Sequence, residues 1–245
     1  MSANFLYNTI RLKYMLSDRS KIILKAIIKE YVATAQPVSS GLLVEKYNFD
    51  ISPATVRNEM TELEEAGYIS QPHTSAGRIP TKKAYLLEIE EIGANKAKPL
   101  RPGEKKILED CFEPSEEGLK KVAKVVAELA DTAVFFAFNK NSLYHTGLSN
   151  LFSQPEFKQL DSVYDASKVI DAMEDIIDGL FDSLEDGAVL LAGDNNPFGD
   201  FLGSALLRYR QGRQSGIFGI LGPIRMDYAR NLGIINFIEE KFKDK

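Results

Sequence analysis

The chain has 245 residues, 44% of them hydrophobic and 27% charged, with a formal net charge of −5, a composition that leaves room for two modest folded domains and excludes a disordered or fibrous protein. A single cysteine, Cys111, and only two histidines, His73 and His145, exclude an intrachain disulfide and a cysteine-based metal site and speak against zinc, so no cofactor is expected. No run approaches the ~18 consecutive apolar residues of a membrane span, and "MSANFLYNTIRLKYML" lacks a continuous apolar stretch with a cleavage site, so a cytoplasmic location without membrane partners is expected.

Charge is unevenly spread. Residues 1–83 hold 11 Lys and Arg against 8 Asp and Glu, whereas the remainder holds 19 against 27. A basic head on an acidic body is compatible with nucleic-acid binding by the head alone, because phosphate rewards local positive charge.

The first predicted helix is "SDRSKIILKAIIKEYVATA", with Ser17 or Asp18 as its cap and Ile23, Ile27 and Tyr31 four apart beside Ala26. "QPVSSGLLVEKYN" offers Ser39 or Ser40 as a second cap and a short stripe of Leu43 and Tyr47. The best-marked element is "ISPATVRNEMTELEEAGY", with Ser52 as cap, Pro53 at the first helical position and Gly67 ending the helix. Val56, Met60 and Leu63 share its inner face. "YISQ" and "RIPT" then flank "QPHTSAGRIPT" as a small hairpin, and Thr81 caps a fourth helix, "KKAYLLEIEEI". Three helices, a β-loop and a closing helix is the order of a winged helix-turn-helix, placed at residues 1–92 with 1–14 as an extension.

"GANKAKPLRPG", residues 93–103, has two glycines, two prolines and no apolar period, and reads as a linker. The second domain, 104–245, begins with the amphipathic "SEEGLKKVAKVVAELAD", followed by the strand "TAVFFAFN" and one long helix, "DASKVIDAMEDIIDGLFDSLED". Three further strands are expected in "AVLLAGD", "LGSALLRYR" and "GIFGILGP", before a last helix through "MDYARNLGIINFIEEKF". The fold class is therefore α+β, with a largely antiparallel, helix-flanked sheet in the body.

The outer face of the third helix carries Thr55, Arg57, Asn58 and Thr61. Arg can pair with guanine through two hydrogen bonds, Asn with adenine, and Thr can bond or pack on thymine. The N-terminal residues of a recognition helix read bases in this way. In the wing, His73, Thr74, Ser75, Gly77 and Arg78 would meet phosphate or minor groove, joined by Ser39 and Ser40 at the start of the second helix. The loop's His73 and Ser75 also invite a nucleophile-and-base reading, but no orienting acid, oxyanion hole or pocket accompanies them, so no enzymatic activity is expected.

In the body, His145, Asp194 and Asn195 are read as turn chemistry rather than an effector pocket, because "GDNNPFG" has the composition of a strand connection. Arg225, Asp227 and Tyr228 are expected to cap and orient the last helix. Cys111, in the acidic "EDCFEP", is no redox sensor.

"RSKIILKAIIKEYVATAQPVSS", "SPATVRNEMTELEEAGYISQPHTSAGRIPT", "LSNLFSQPEF", "GDNNPFGDFLGSALLRYR" and "GILGPIRMDYAR" resemble the HrcA family of heat-inducible transcription repressors. The resemblance implies a homodimer that represses chaperone genes from an inverted-repeat, double-stranded operator, a GAF-like second domain, and a chaperonin that helps keep the DNA-binding form. It also shows departures. "FFAFNKNSLYHTGLSNLF" directly bridges a span where the family carries an inserted dimerisation region, "PVSSG" stands where the family usually has Gly before Ser, and residues 1–14 have no counterpart. Two alternatives stay open at this point: a regulator of other genes controlled by a small molecule in the body, and a chaperone-interacting adaptor with a vestigial head.

Overall fold

The computed structural model describes residues 16–72, 77–93, 96–158, 160–212 and 214–243. The chain divides into two compact units, with the boundary between Glu91 and Ile92.

In the first unit, α1 (Asp18–Thr34) starts where the Ser17 hydroxyl accepts the Ser20 amide and ends at Ala35, whose φ of 52° is left-handed. Ile23, Leu24, Ala26, Ile27 and Ile28 are buried along it. The second helix, α2 (Ser40–Tyr47), is capped by Ser39 and ended by left-handed Asn48. Next comes α3 (Pro53–Glu65), capped by Ser52, with Pro53 in the first turn, where a missing N–H leaves nothing unsatisfied. Gly67 follows at φ 76°, and the Tyr68 amide reaches back to the Leu63 carbonyl, which closes the helix end.

Strands β1 (Ile69–Ser70) and β2 (Ile79–Pro80) pair antiparallel as the wing's base. Val38, between α1 and α2, adds a rung that the sequence did not announce: it exchanges two backbone hydrogen bonds with Arg78, both 2.8 Å. The closing helix is α4 (Lys82–Ile92). Thr81, read from sequence as its side-chain cap, instead turns its hydroxyl back to the carbonyls of Gly67 and Tyr68, which need donors at the end of α3; only its carbonyl serves α4.

The second unit contains α5 (Pro102–Cys111), α6 (Glu116–Ala130), β3 (Ala133–Asn139), β4 (Ser142–Thr146), α7 (Leu148–Ser153), α8 (Leu160–Asp171), α9 (Met173–Ser183), β5 (Gly187–Ala192), β6 (Leu202–Gln211), β7 (Gln214–Pro223) and α10 (Tyr228–Lys243). The sheet order is β4-β3-β7-β6-β5, and every neighbouring pair is antiparallel. This is the helix-flanked antiparallel sheet expected of a GAF-like body.

Alternation along the strands splits the core in two. Phe135, Ala137, Leu206 and Ile217 join Leu151, Phe157, Ala166, Met173 and Ile177 from α7 to α9. On the other face, Phe136 and Phe218 lie 4.6 Å apart and Tyr209 stacks at 4.0 Å on Phe242 of α10. Opposite Phe135 stands Gly219, where even a Cβ would fall 2.1 Å from the Phe135 ring, so the large ring and the missing side chain are one packing solution.

Three expectations need correction here. The long helix expected over 165–186 is two helices, α8 and α9, broken at Ala172 (φ −88°, ψ 4°), which separates the part burying Ala166 from the part burying Met173 and Ile177. Strand β4 and helices α5 and α7 went unpredicted. Residues 96–101, within the expected linker, carry Lys98, whose amide donates to Ala229 of α10 and whose Nζ lies 2.6 Å from Asp227.

Candidate nucleic-acid interface

The site rests on how α3 is seated. Its inner face buries Val56, Met60 and Leu63, and Glu59 beside them is 4% exposed. The Glu59 carboxylate receives the Ser20 hydroxyl at 2.8 Å and Arg19 Nε at 2.6 Å, both from the first turn of α1. At the other end of the helix, Lys83 Nζ donates to the Ala66 carbonyl at 2.7 Å while lying 4.3 Å over the Tyr68 ring. Burial raises the Tyr68 phenol above its ordinary range, with the nearby Glu90 charge adding to it.

Seated this way, α3 presents Arg57, Asn58 and Thr61 to solvent. Among the described residues no side-chain partner engages Arg57 or Asn58. Thr61 donates to the Arg57 carbonyl at 3.1 Å. Thr55 is half-buried, and its hydroxyl lies 3.0 Å from that of Ser52, so it belongs to the N-terminal cap as much as to the outer face. Glu62 and Glu65 are exposed in the C-terminal half, which confines the positively charged, anion-compatible part of the helix to its first two turns.

The other sequence candidates divide. Ser39 is exposed at the N-cap of α2, its oxygen accepting the Leu42 amide at 3.2 Å. Ser40 is only 7% exposed, so its side chain faces inward. Gly77 packs so closely on Val38 that a Cβ would lie 2.4 Å from the Val38 carbonyl oxygen, which gives the glycine a packing reason independent of any ligand. Arg78 is held at the wing's base, its Nε donating to Glu64 at 2.9 Å. His73, Thr74 and Ser75 lie outside the described residues.

Glu30, 3% exposed, fixes α2 on α1: it accepts from Lys46 Nζ and the Tyr47 hydroxyl, each at 2.8 Å. The Lys46 hydrogen bond lowers the Glu30 carboxyl, against the opposing effect of burial, and Tyr47 adds to the lowering. Burial and the Glu30 contact push the Tyr47 phenol far up.

Sequence reasoning missed Glu59, Arg19, Glu30 and Val38. Glu59 was legible in principle, since it falls in the same stripe as Val56, Met60 and Leu63, three residues after the first and four before the last. A charge there implies a buried partner.

In the body, Asp194 and Asn195 form a short 3-10 turn after β5, as "GDNNPFG" suggested. Buried Asn196 organises that turn by donating to the Leu202 carbonyl and accepting from Ser204. His145 sits exposed on β4, opposite Phe135. Asp227 caps α10 by accepting the Arg230 amide at 3.0 Å, and Tyr228 donates to the Ile224 carbonyl. Arg225 is 8% exposed and pairs with Glu156 and Gln154, tying the start of α10 to the segment before α8. Burial, with smaller and opposing contributions from neighbouring groups, leaves the Cys111 thiol above its ordinary range, the reverse of a reactive thiol.

A winged helix-turn-helix whose third helix exposes Arg57 and Asn58, in one chain with a helix-flanked antiparallel body, defines the class by architecture: a two-unit protein with a helix-turn-helix head. Known proteins agree with that architecture. The family model described as HrcA protein C terminal domain matches residues 85–232, and the model for a DeoR-like helix-turn-helix domain matches residues 25–82. The chain belongs to the HrcA family. It is 34% identical over 188 residues to the heat-inducible transcription repressor HrcA of Thermobifida fusca, covering 74% of this chain and 53% of that one. With the protein of the same name from Symbiobacterium thermophilum it is 37% identical over 145 residues, covering 59% of this chain and 38% of the relative. The matched stretches thus span between about a third and about a half of the relatives' lengths. A crystal structure described as a hypothetical protein shares the fold, with a TM-score of 0.76 at 19% identity over 94% of this chain and 98% of that one.

Proposed function

We propose that this protein is a sequence-specific transcriptional repressor that binds an inverted-repeat operator as a homodimer and releases it on heating, so that its targets are stress-response genes such as those of chaperones. The observation that carries the reading is Arg57 beside Asn58, exposed and without side-chain partners among the described residues, on a helix whose rotation is set by buried contacts. In this reading Arg57 and Asn58 read base edges in the major groove, with Thr61 and the edge of Thr55 beside them. Ser39 and the wing, including Arg78, His73, Thr74 and Ser75, approach the backbone, while Ser40 and Gly77 contribute through main chain and close packing.

Membership of a family whose relatives bear the name heat-inducible repressor supports the heat response. A chaperonin as the partner that restores the binding form belongs to the same proposal. No helix among the described residues is long and apolar enough to cross a membrane, consistent with a cytoplasmic site of action.

The test is selection of bound duplexes from a random library at moderate salt, followed by titration of the enriched duplex against a scrambled one. The expected result is a two-fold repeat bound at least 10³-fold more tightly than the scrambled duplex, the lower end of specific recognition. Equal binding of both duplexes overturns the proposal.

A further inference from the structure

The inner face of α3 is short of apolar side chains. Val56, Met60 and Leu63 supply it, and dispersion contacts among three such residues tolerate a helix that rotates or slides by a fraction of a turn. Yet base reading tolerates little, since successive side chains on a helix are about 100° apart and a bidentate contact needs both atoms in plane. Something directional must fix the rotation.

We infer that Glu59 is the positioning residue of the recognition helix, holding Arg57 and Asn58 toward DNA through its buried contact with Ser20 and its half-exposed contact with Arg19, both on α1. This rests on the proposed DNA-reading role of α3.

The geometry is specific. Arg19 Nε lies 2.6 Å and its terminal nitrogen 2.5 Å from one Glu59 oxygen, and the Ser20 hydroxyl donates to the other at 2.8 Å. Ser20 is 2% exposed. Its hydroxyl proton is committed to Glu59, so in the 2.7 Å contact with the Ser17 hydroxyl the donor must be Ser17. Ser17 in turn accepts the Ser20 amide at 3.0 Å. A closed chain therefore runs from the cap of α1 through two hydroxyls to the carboxylate on α3. That carboxylate also lies at the positive, N-terminal end of α1, where an anion is favoured.

The Arg19 side chain is 58% exposed, so its pairing with the buried Glu59 carboxylate adds little stability. The directional hold comes from the buried Ser20 hydroxyl, because a buried carboxylate that loses its hydrogen-bond partner is costly and disfavours other alignments. Glu59 faces inward, so Asn58 and Arg57, one and two residues before it, face outward. The pairing ties this outward direction to a fixed point on α1.

The test compares Glu59→Met and Glu59→Gln with the wild-type chain, titrating the enriched duplex and a scrambled duplex and checking folding by far-ultraviolet circular dichroism and thermal melting. Met fills the same volume without direction; Gln keeps the Ser20 bond and the shape but loses the charge. The expected result is that Glu59→Met lowers the ratio of specific to scrambled affinity about tenfold or more, the discrimination carried by one base contact, while affinity for the scrambled duplex stays within about twofold. Glu59→Gln falls between Met and wild type. If Glu59→Met does not fold, Glu59→Gln carries the test with the same sign. A folded variant that discriminates as well as wild type overturns the assignment of Glu59, as does equal loss of both affinities, the mark of a merely structural role. A wild-type chain that fails to discriminate overturns instead the DNA-reading role beneath it.

Discussion

Arg78 and Glu64 join two parts of the head that sequence separates by 14 positions: the Arg78 Nε donates to a Glu64 oxygen at 2.9 Å. One residue sits at the base of the wing and the other in the last turn of the recognition helix. Since the Arg78 backbone is also paired with Val38, the wing, α3 and the segment before α2 meet at one arginine.

Arg78→Ala is therefore expected to act on both folding and binding. The pair is partly exposed, with side-chain exposures of 20% and 33%, so the stability loss should be modest, about 0.5 to 1.5 kcal/mol. Binding to specific and scrambled duplexes should weaken alike, with the salt slope reduced by about 1, as for loss of a phosphate contact. Chemical denaturation and titration at two salt concentrations check both. A loss confined to the specific duplex would make Arg78 a base reader.

Arg57→Ala should do the opposite. The side chain is exposed and unpartnered among the described residues, so melting should be unchanged within about 0.5 kcal/mol. Discrimination between the enriched duplex and one mutated at a single base pair of each half-site should fall by about 1 to 3 kcal/mol. Uniform weakening across all duplexes would place Arg57 on phosphate.

Glu30 gives a pH-dependent prediction. Its folded carboxyl lies below the ordinary value, first through the Lys46 hydrogen bond. A group depressed on folding binds its proton more readily in the unfolded chain, so its stabilising contribution is present above the unfolded carboxylate value of about 4.3 and fades as pH falls through the folded value. Glu30→Gln should thus destabilise the head near neutral pH. The gap between variant and wild type should close as pH drops below about 4. Urea midpoints measured from pH 3 to 7 test this, and a gap that widened toward acid would reverse the assigned sign.

Gly233 on α10 tests the packing of residues 96–101. A Cβ there would lie 1.9 Å from the Lys98 carbonyl oxygen, a backbone atom that cannot swing aside. Gly233→Ala gains helix propensity, worth up to about 1 kcal/mol in an open helix. The steric conflict should outweigh it, for a net loss of about 1 to 3 kcal/mol, and proteolytic cutting near Lys96 and Lys98 should quicken. A variant at least as stable as wild type would show that the segment can lift without consequence.

The four helices of the head were readable because caps and stripes are local chemistry. Ser17, Ser39 and Ser52 each accept an amide three residues on, and Gly67 takes a conformation that other residues resist. In the body, β6 and β7 were equally plain. By contrast, α5 buries only Leu108, too thin a stripe to register, and "SLYHT" becomes strand β4 only because β3 lies beside it. Ala172 is an ordinary helix former, and no local signal marks it as the break between α8 and α9.

What the sequence by itself determined about this protein is its cast of elements and the outward chemistry of α3, because both follow from interactions spanning three or four residues. Tertiary structure alone decided which direction that chemistry faces and what holds it. Glu59 meets Arg19 across 40 positions, and Arg78 meets Val38 and Glu64 at the wing. Hydrogen bonds of that kind depend on distances of a few tenths of an ångström between elements, and only the packed chain sets those distances.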